Sequence, residues 1–374
     1  MQNRYVWQLP HWTERLRFDS TVILAPLSRA RARQGRILGR ASELGFDIGR
    51  EMRLAMLTDE AVTTSAIEGE VLNRASVRSS IARRLGFPTA GLPPVERRAD
   101  GQVEVLLDAT TSYDIALTAD RLKAWQAALF PTGYSGLRKI PVGDWRKTRA
   151  PMQVVSGPVG RERVHYEAPP SKRVPAEMRS FLTWWAASRN VEDGLIRAAK
   201  AHLWFVTIHP FEDGNGRIAR ALADMALAQD EATSTRCYSL SAQIQASRDS
   251  YYDVLESTQK GDGEVTAWLT WFLTTLEAAV ARSEAEFERI FAKAHFWQRH
   301  GMEGLNPRQV KVLNRLLDAG PDGFTGGLTT KKYAHLTATS DATAKREILD
   351  LRNRGLLVQR AGSAGRSTSY ELVW

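Results

Sequence analysis

The stretch HPFEDGNGRIAR, residues 209–220, places one imidazole, two carboxylic acids, two glycines and two arginines close together. It follows the apolar run LWFVTI, which has the composition of a buried helix. Pro210 lacks an amide hydrogen and restricts the backbone of His209, so this helix is predicted to end at the histidine. Gly214 and Gly216 permit positive φ and close approach to a ligand, and a second helix is predicted from Gly216 onward.

The same stretch predicts a site for a phosphate chain. Unpaired amide groups at the start of the second helix, together with the helix dipole, attract anions. Arg217 and Arg220 are three residues apart and can face one side, where two guanidinium groups favour a polyphosphate over a single carboxylate. Asp213 is placed to bind the Mg²⁺ that normally accompanies such a chain. Because His209 can accept a proton from an attacking hydroxyl near neutral pH, the stretch indicates phosphorus transfer.

Each part of this stretch has a more ordinary explanation when it is taken alone. A histidine at a helix end is usually structural, DGNG usually forms a turn, and two arginines three apart usually face solvent. All of these residues occur together in this order, directly after a helical apolar run, and ordinary structural roles explain that combination poorly. The stretch is also not a Walker phosphate loop, because it lacks the GxxxxGK[ST] pattern.

The composition bounds the class of protein. With 374 residues, 43% of them hydrophobic and 25% charged, the chain is expected to form about two or three globular domains. A net charge of +9 permits contact with anions but does not by itself indicate nucleic-acid binding. The single Cys237 excludes an intrachain disulfide, fits a reducing compartment and is most simply a small buried hydrophobe. Since no apolar signal segment or membrane-length apolar run occurs, we expect no membrane contact and a cytoplasmic location.

Apolar spacing predicts helices over most of the chain. Spacings of three and four recur through residues 20–85, and helical patterns return after a Pro- and Gly-rich boundary that begins at Gly86. Two short β-prone runs, MQVV and VHYE, predict a hairpin within residues 152–168. From about Asn306, three helices and a hairpin follow in the order of a winged helix. Asn306 is the predicted N-cap of the first of these helices and Ser340 that of the third.

The stretch 209–220 resembles the signature of the Fic family, HPFx[DE]GNGRxxR, with every fixed position present. The resemblance implies transfer of AMP from ATP, in the presence of Mg²⁺, to a Ser, Thr or Tyr hydroxyl of a target protein, with release of pyrophosphate. It also implies a mainly α fold with a Fic-type helical core and a β-hairpin flap. Together with the winged-helix order, this predicts three domains: an N-terminal helical domain at 1–90, a catalytic domain at 95–285 and a winged helix at 300–374.

The resemblance also implies roles for individual residues of the stretch. His209 would be the base for the target hydroxyl, and Asp213 would hold Mg²⁺. Asn215 and the amides of Gly214 and Gly216 would bind the α- and β-phosphates, and Arg217 would assist there. Arg220 would bind the γ-phosphate. Phe211 would contribute to the shape and packing of the loop.

A second segment, TTSAIEGE, resembles the inhibitory helix of the same family in its pattern [ST]xxxE[GN], carried by Thr64, Glu68 and Gly69. Thr64 and Glu68 are four residues apart and share one helix face, and Gly69 suits a helix end. In this interpretation the Glu68 carboxylate pairs with Arg220 in the place of the γ-phosphate, so that ATP binds only in a non-productive pose. Taken alone, the segment would be an ordinary helix terminus.

Two further features leave alternatives open. The hairpin at 152–168 is either the flap that binds a protein substrate as an added strand or a plain surface hairpin. Tyr251 or Tyr252 stacks on adenine in one interpretation, and both tyrosines pack in the core in the other. Relatives with the same motif also transfer other phosphate-containing groups or remove AMP, and the motif alone does not distinguish these activities.

The C-terminal segment has two alternative roles. Lys345 and Arg346 lie on its predicted recognition helix and Arg366 lies in its wing, which favours phosphate contacts with DNA. The alternative is that it forms a homodimer or recruits the target. The whole chain is therefore an autoinhibited protein adenylyltransferase, or a DNA-binding regulator with a sensory or vestigial nucleotide pocket. The intact His209 favours the enzyme, because a sensor needs the cationic clamps but not the base.

Overall fold

The structure, a computed structural model, describes residues 5–42, 46–87, 93–156, 161, 163–320, 324, 326–363 and 368–373. In these residues the chain is mainly helical, as predicted, with three short antiparallel hairpins. The helices are α1 (Ser20–Ser42), α2 (Phe46–Ile67), α3 (Arg74–Arg84), α4 (Arg97–Thr111), α5 (Ala119–Leu129), α6 (Val174–Ser188), α7 (Gly194–Ile208), α8 (Asn215–Glu231), α9 (Leu240–Ala246), α10 (Arg248–Gln259), α11 (Thr266–His300), α12 (Pro307–Ala319), α13 (Thr330–Thr337) and α14 (Asp341–Asn353). The strands are β1 (Tyr134–Ser135), β2 (Arg138–Lys139), β3 (Gln153–Ser156), β4 (Arg163–Glu167), β5 (Leu357–Gln359) and β6 (Tyr370–Leu372).

The chain divides into two compact units, residues 1–283 and residues 284–374. The division falls inside α11, which continues through it as one helix. A catalytic domain ending near 285 was predicted from the sequence, and the first unit ends close to that position.

Helices α7 and α8 form the centre of the first unit and pack against each other. Almost every position of α7 is buried, and α8 is buried from Asn215 to Ala228 except at Gly216. A helix that is buried all round must be enclosed by other elements, and α4, α5 and α2 pack on α8. The loop of residues 209–214, which joins α7 to α8, is therefore held at both ends by the most buried helices of the unit.

The N-terminal helices belong to this same unit. Helix α2 packs against α3, α4 and α9, and its apolar side shares a buried cluster with α3 and α4. The cluster consists of Leu54, Leu57, Ala61, Leu72, Val77, Ile81, Ala82, Ala99, Val103, Leu106 and Leu107. The domain boundary predicted near residue 90 does not separate compact units, because helices on both sides of it bury one common core. Of the predicted boundary loop, residues 88–92 lie outside the described residues.

The hairpin predicted at 152–168 is present as β3 and β4, although residues 157–160 and 162 lie outside the described part of the chain. Gln153 pairs with Glu167, and the register shifts by a bulge after Val154. Strand β4 is attached to α10, because Glu256 accepts hydrogen bonds from the side chains of Arg163 and His165 at 3.3 and 2.5 Å.

A second hairpin, β1 and β2, was not predicted from the sequence. Tyr134 pairs with Lys139 and Ser135 with Arg138 around a tight turn. Gly136 has φ 56° in this turn, a left-handed conformation that glycine adopts at little cost. Strands of two residues carry too few side chains to show an alternating pattern, which explains why this hairpin was missed.

The second unit has the predicted order of three helices and a hairpin, α12, α13, α14 and then β5 paired with β6. Leu328, which precedes α13, forms an additional antiparallel bridge with Tyr370. The buried Glu347 joins the three helices by accepting hydrogen bonds from Arg308 on α12 and from the Tyr333 hydroxyl on α13. The predicted caps Asn306 and Ser340 both accept from backbone amides at the starts of their helices. Arg366 of the predicted wing lies outside the described residues.

Within the part of the chain that the structure describes, no helix is long and apolar enough to cross a lipid bilayer.

Candidate functional site

The loop between α7 and α8 begins at His209, where α7 ends as predicted. His209 has φ 52° and ψ 60°, a left-handed conformation that costs roughly 1 kcal/mol or more for a residue with a Cβ. The buried Arg146 stabilises it, because its Nε donates to His209 O at 2.7 Å and its backbone amide donates to Pro210 O at 2.9 Å. Sequence analysis missed Arg146, because a single arginine outside any motif carries no local signal.

The His209 ring is arranged as a neutral base. Its Nδ1 lies 3.3 Å from Val206 O, and since a carbonyl only accepts, Nδ1 carries the hydrogen and Nε2 keeps its lone pair. Burial lowers the pKa of His209 to about 4, and the positive charge of Arg146 adds to this effect. The imidazole is therefore uncharged at neutral pH and faces the cavity described below.

Asn215 fixes the shape of the loop. Its Oδ1 accepts from Phe211 N and its Nδ2 donates to Phe211 O, both at 2.9 Å. The Phe211 ring is fully buried and packs on Trp145 at a centroid distance of 4.8 Å. The side chain of Asn215, which was predicted to contact phosphate, is thus engaged within the loop and leaves its backbone amide for a ligand. Phe211 has the predicted packing role.

Asp213 is partly buried and holds two donors. Its Oδ1 accepts from Gly214 N at 2.6 Å, and its Oδ2 accepts from the Ser135 hydroxyl. No group of three or more His, Cys, Asp or Glu side chains suited to a metal occurs among the described residues. A cation here would therefore rest on the Asp213 carboxylate and on oxygens of a ligand, which is how Mg²⁺ is commonly bound with phosphates.

Arg220 and the end of α2 meet as predicted. Arg220 is only 1% exposed, its Nε donates to Thr64 Oγ1 at 2.7 Å, and its Nη2 donates to Thr64 O at 2.9 Å and to Glu68 Oε1 at 2.8 Å. Burial alone would lower the pKa of Arg220, but the Glu68 carboxylate beside it raises the pKa above its ordinary value. Gly69, with φ 79°, follows directly and lets the chain leave the helix.

The Glu68 carboxylate lies against the first turn of α8. A Cβ placed on Gly216 would be 2.1 Å from Glu68 Oε1 and 3.2 Å from Arg220 Nη1. Only glycine at position 216 lets the Glu68 carboxylate lie this close to the backbone of α8. Arg220 Nη1 is buried and has no hydrogen-bond partner among the described residues. A buried cationic donor without a partner, beside a helix start, is a suitable place for an anionic ligand.

Arg217 is held by residues that sequence analysis did not single out. Its Nη1 donates to Glu70 Oε2 at 2.7 Å, and its guanidinium lies 4.9 Å from the centre of the Phe130 ring. Glu70 could have been found, because it is the second acid of the IEGE segment that contains Glu68. Phe130 could not, since an aromatic residue after a helix is usually part of the core.

A cavity of about 510 Å³ adjoins these groups. Its lining comes from the end of α2, the β3–β4 hairpin, α10 and the loop: Ile67, Glu68, Val154, Val155, His165, Tyr166, Val206, His209, Gly216, Arg248, Tyr251, Tyr252, Leu255, Glu256 and Gln259. Tyr251 is buried and its hydroxyl lies 2.9 Å from His202 Nε2, whereas Tyr252 is 36% exposed. Both tyrosines line the cavity, and Tyr251 also packs in the core.

Residues 116–227, which include the loop and most of α8, match the model of the Fic/DOC family. This part of the chain is similar to a Fic/DOC domain. Residues 5–87, which contain α1, α2 and α3, match a separate model described as a domain of unknown function, DUF4172. The end of α2 thus lies in one matched segment and the residues that it contacts on α8 lie in the other.

Solved structures similar to this chain include further Fic proteins. A Fic family protein from Desulfovibrio desulfuricans G20 shares 19% identity over 96% of this chain and 98% of its own, with a TM-score of 0.53. A Fic domain containing signaling protein from Bacteroides thetaiotaomicron VPI-5482 shares 17% identity over 68% of this chain and 93% of its own, with a TM-score of 0.49. Fic-1 from C. elegans shares 19% identity over 72% of this chain and 74% of its own, with a TM-score of 0.48. The first of these shows a common fold around the Fic/DOC domain.

Proposed function

We propose that this protein is an autoinhibited protein adenylyltransferase that transfers AMP from ATP to a Ser, Thr or Tyr hydroxyl of a target protein. A Fic/DOC domain suggests nucleotide transfer. The proposal of autoinhibited AMP transfer depends on one observation: the Glu68 carboxylate lies between Arg220 and the start of α8. A carboxylate in a place suited to phosphate indicates both the ligand and its regulation.

ATP would lie across the first turn of α8. Its adenine would occupy the cavity beside Tyr251 and Tyr252, and its phosphates would meet the amides of Gly214, Asn215 and Gly216, with Arg217 and Arg220 as cationic clamps. Mg²⁺, when bound, neutralises part of the phosphate charge, and Asp213 would hold it.

The transfer step requires one base, which His209 supplies. The target hydroxyl oxygen attacks the α-phosphorus, the new O–P bond forms, and the bond from the α-phosphorus to the bridging oxygen breaks. His209 Nε2 takes the hydroxyl proton, and pyrophosphate leaves with the negative charge. The neutral state and the Nδ1–H tautomer of His209 suit this step, because Nε2 is free to accept.

Inhibition follows from competition for one guanidinium group. The γ-phosphate and the Glu68 carboxylate are both anions and both need Arg220, so they cannot occupy the same place. While Glu68 stays paired, ATP enters only with its phosphates displaced from the loop, and the α-phosphorus is not aligned with His209. Release of the end of α2 would permit the productive pose.

The protein substrate would dock at the β3–β4 hairpin. This hairpin contributes Val154 and Val155 to the cavity wall, so a segment added along it would reach the nucleotide. Main-chain hydrogen bonds from such an added strand would accept many sequences, and side-chain pockets would select among them. We expect the chain to act in the cytoplasm, where ATP is available.

The test of this proposal is the Glu68→Gly variant, incubated with ATP labelled at the α-phosphate and with Mg²⁺. We expect labelled protein to increase by about tenfold or more over the unsubstituted protein, because the variant frees Arg220 for the γ-phosphate. Adding His209→Ala should abolish labelling and leave ATP affinity largely intact, since the base acts mainly in the transition state. Adding Arg220→Ala should instead lower ATP affinity sharply.

Two results would count against the proposal. Equal labelling in the Glu68→Gly variant and the unsubstituted protein would remove the inhibitory role of Glu68. If label is transferred from the γ-phosphate, or is transferred from another nucleotide faster than from ATP, the protein has a related activity and not AMP transfer.

A second candidate function concerns residues 284–374, which we propose to be a winged helix that contacts DNA. Lys345 and Arg346 on α14 are exposed and make no ion pair with the described residues. Unpaired cations on the helix that follows α13 suit phosphate contacts. A homodimer contact or recruitment of the target by this unit is the alternative.

A further inference from the structure

A segment that the proposed function does not use, residues 130–139, lies against the loop between α7 and α8. At its start, the Phe130 ring touches Gly214, with Cε2 3.0 Å from the position that a Cβ on Gly214 would take. The same ring lies beneath the Arg217 guanidinium. The backbone then turns into β1 and β2. The segment therefore follows the loop rather than crossing it at a single point.

The hairpin within this segment contacts both acids of the loop. The Ser135 hydroxyl donates to Asp213 Oδ2, and Arg138 Nη2 lies 3.6 Å from Glu212 Oε2. Glu212 is buried, and its other oxygen accepts from the Thr148 hydroxyl. Each acid thus accepts a hydrogen bond from outside the loop, from a residue that precedes it in the chain by about 60 to 80 positions.

The Asp213 carboxylate is oriented by one donor on each oxygen. Gly214 N binds Oδ1, and the Ser135 hydroxyl binds Oδ2. An ionised carboxylate offers about four lone-pair sites, so about two remain for a metal. The Gly214 amide cannot move without the loop, which makes Ser135 the one adjustable donor. Without it, the carboxylate could rotate about its last bond and present its free lone pairs in several directions.

We propose that Ser135 is a positioning residue for Asp213. Its hydroxyl fixes the direction in which the carboxylate presents its free lone pairs, and thereby sets the affinity of the site for a divalent cation bound with a nucleotide. This inference rests on the proposed function, in which Asp213 holds Mg²⁺. The direction matters because Mg²⁺ requires near-octahedral geometry, and because hydrogen bonds to a metal-binding carboxylate commonly tune its affinity.

The hairpin also supplies a matched control. Leu137, two residues after Ser135, is fully exposed at 101% relative accessibility, so its side chain has no contact through which it could orient the loop. Leu137→Ala changes the same turn without touching Asp213. A second matched pair is Ser135→Thr and Ser135→Val, whose side chains have nearly the same shape and differ in the presence of the hydroxyl.

The experiment measures binding of Mn²⁺, as a spectroscopic substitute for Mg²⁺, to the Glu68→Gly protein with a non-hydrolysable ATP analogue. Electron paramagnetic resonance of free Mn²⁺ gives the dissociation constant. We expect Ser135→Ala and Ser135→Val to weaken Mn²⁺ binding by about tenfold, and Ser135→Thr and Leu137→Ala to change it by less than about twofold. Affinity for the analogue in EDTA should be the same in all four variants, and Asp213→Ala should abolish Mn²⁺ binding.

The outcomes separate this inference from the proposed function. Equal Mn²⁺ affinity in the Thr and Val variants would overturn the role of the hydroxyl. A loss of analogue affinity in EDTA for Ser135→Ala would also overturn it, because Ser135 would then support the whole loop. No Mn²⁺ binding in the Glu68→Gly parent would remove Asp213 as a metal ligand and the inference with it. Ser135-dependent Mn²⁺ binding without any transfer of AMP would leave the inference standing and would refute the proposed function.

Discussion

His209 combines a strained backbone with a neutral ring, and Arg146 contributes to both properties. The guanidinium binds the carbonyl of His209 and holds the residue in its left-handed conformation. The same positive charge, added to the effect of burial, keeps the imidazole unprotonated. A residue in a rare backbone region persists only where its surroundings determine it, and such residues concentrate at functional sites. Arg146 therefore has a positioning role that no motif in the sequence reveals.

The charge state of His209 gives a prediction about pH. The pKa of His209 in the folded protein is lowered to about 4 from 6.5, so the ring stays neutral as pH falls through the ordinary range and takes a proton only near pH 4. We expect the NMR signals of the His209 ring nitrogens to remain constant between about pH 5.5 and 8. The His209→Ala variant provides the assignment of these signals. A midpoint near 6.5 for His209 would contradict the buried environment.

At the scale of elements, the end of α2 carries three groups that contact α8. Thr64 and Glu68 bind Arg220, and Glu70 binds Arg217, just beyond the last helical turn. Both cations of the motif are thus paired with acids from one segment. Release of α2 would free both at once, whereas release of Glu68 alone would leave Arg217 occupied.

This arrangement predicts that Glu70 contributes to inhibition. Glu70→Gln removes the charge that holds Arg217, and we expect automodification with labelled ATP to rise by about fivefold, as for a partly exposed ion pair worth about 1 kcal/mol. The effect should be smaller than that of Glu68→Gly, because Arg220 stays paired. Glu104→Gln, which removes a carboxylate paired with Arg84 on the surface, is the matched control. Unchanged labelling in the Glu70→Gln variant would show that Glu68 inhibits without a contribution from Glu70.

At the scale of the whole molecule, the two compact units have separate cores. The second unit buries its own cluster, which includes Leu313, Leu316, Ile348 and Leu351 from α12 and α14. The groups of the proposed transfer reaction all lie within residues 1–283. Separate cores and separate functional groups indicate that substitutions on the surface of one unit leave the chemistry of the other intact.

Lys345 and Arg346 are the residues through which the second unit is predicted to contact DNA. Their combined substitution by alanine should weaken binding of a short DNA duplex and make that binding less dependent on salt, since two phosphate contacts are lost. AMP transfer by the Glu68→Gly protein should not change. Binding would be measured by fluorescence anisotropy at several salt concentrations, with Lys311→Ala and Arg315→Ala on α12 as the charge-matched control. If the unsubstituted protein binds no duplex even at low salt, the unit contacts protein instead.

The sequence by itself determined the class of fold and predicted the chemistry of the loop. Helical periodicity located α1 and α2, the turn residues located the β3–β4 hairpin, and the motif singled out His209 and Arg220, because these signals lie in neighbouring residues. The tertiary structure alone decided how Asp213 meets Ser135 and how Arg217 meets Glu70, across 78 and 147 residues of chain. Such contacts arise only when helices pack, since each partner on its own is an ordinary polar residue, and packing depends on the whole core rather than on any local pattern.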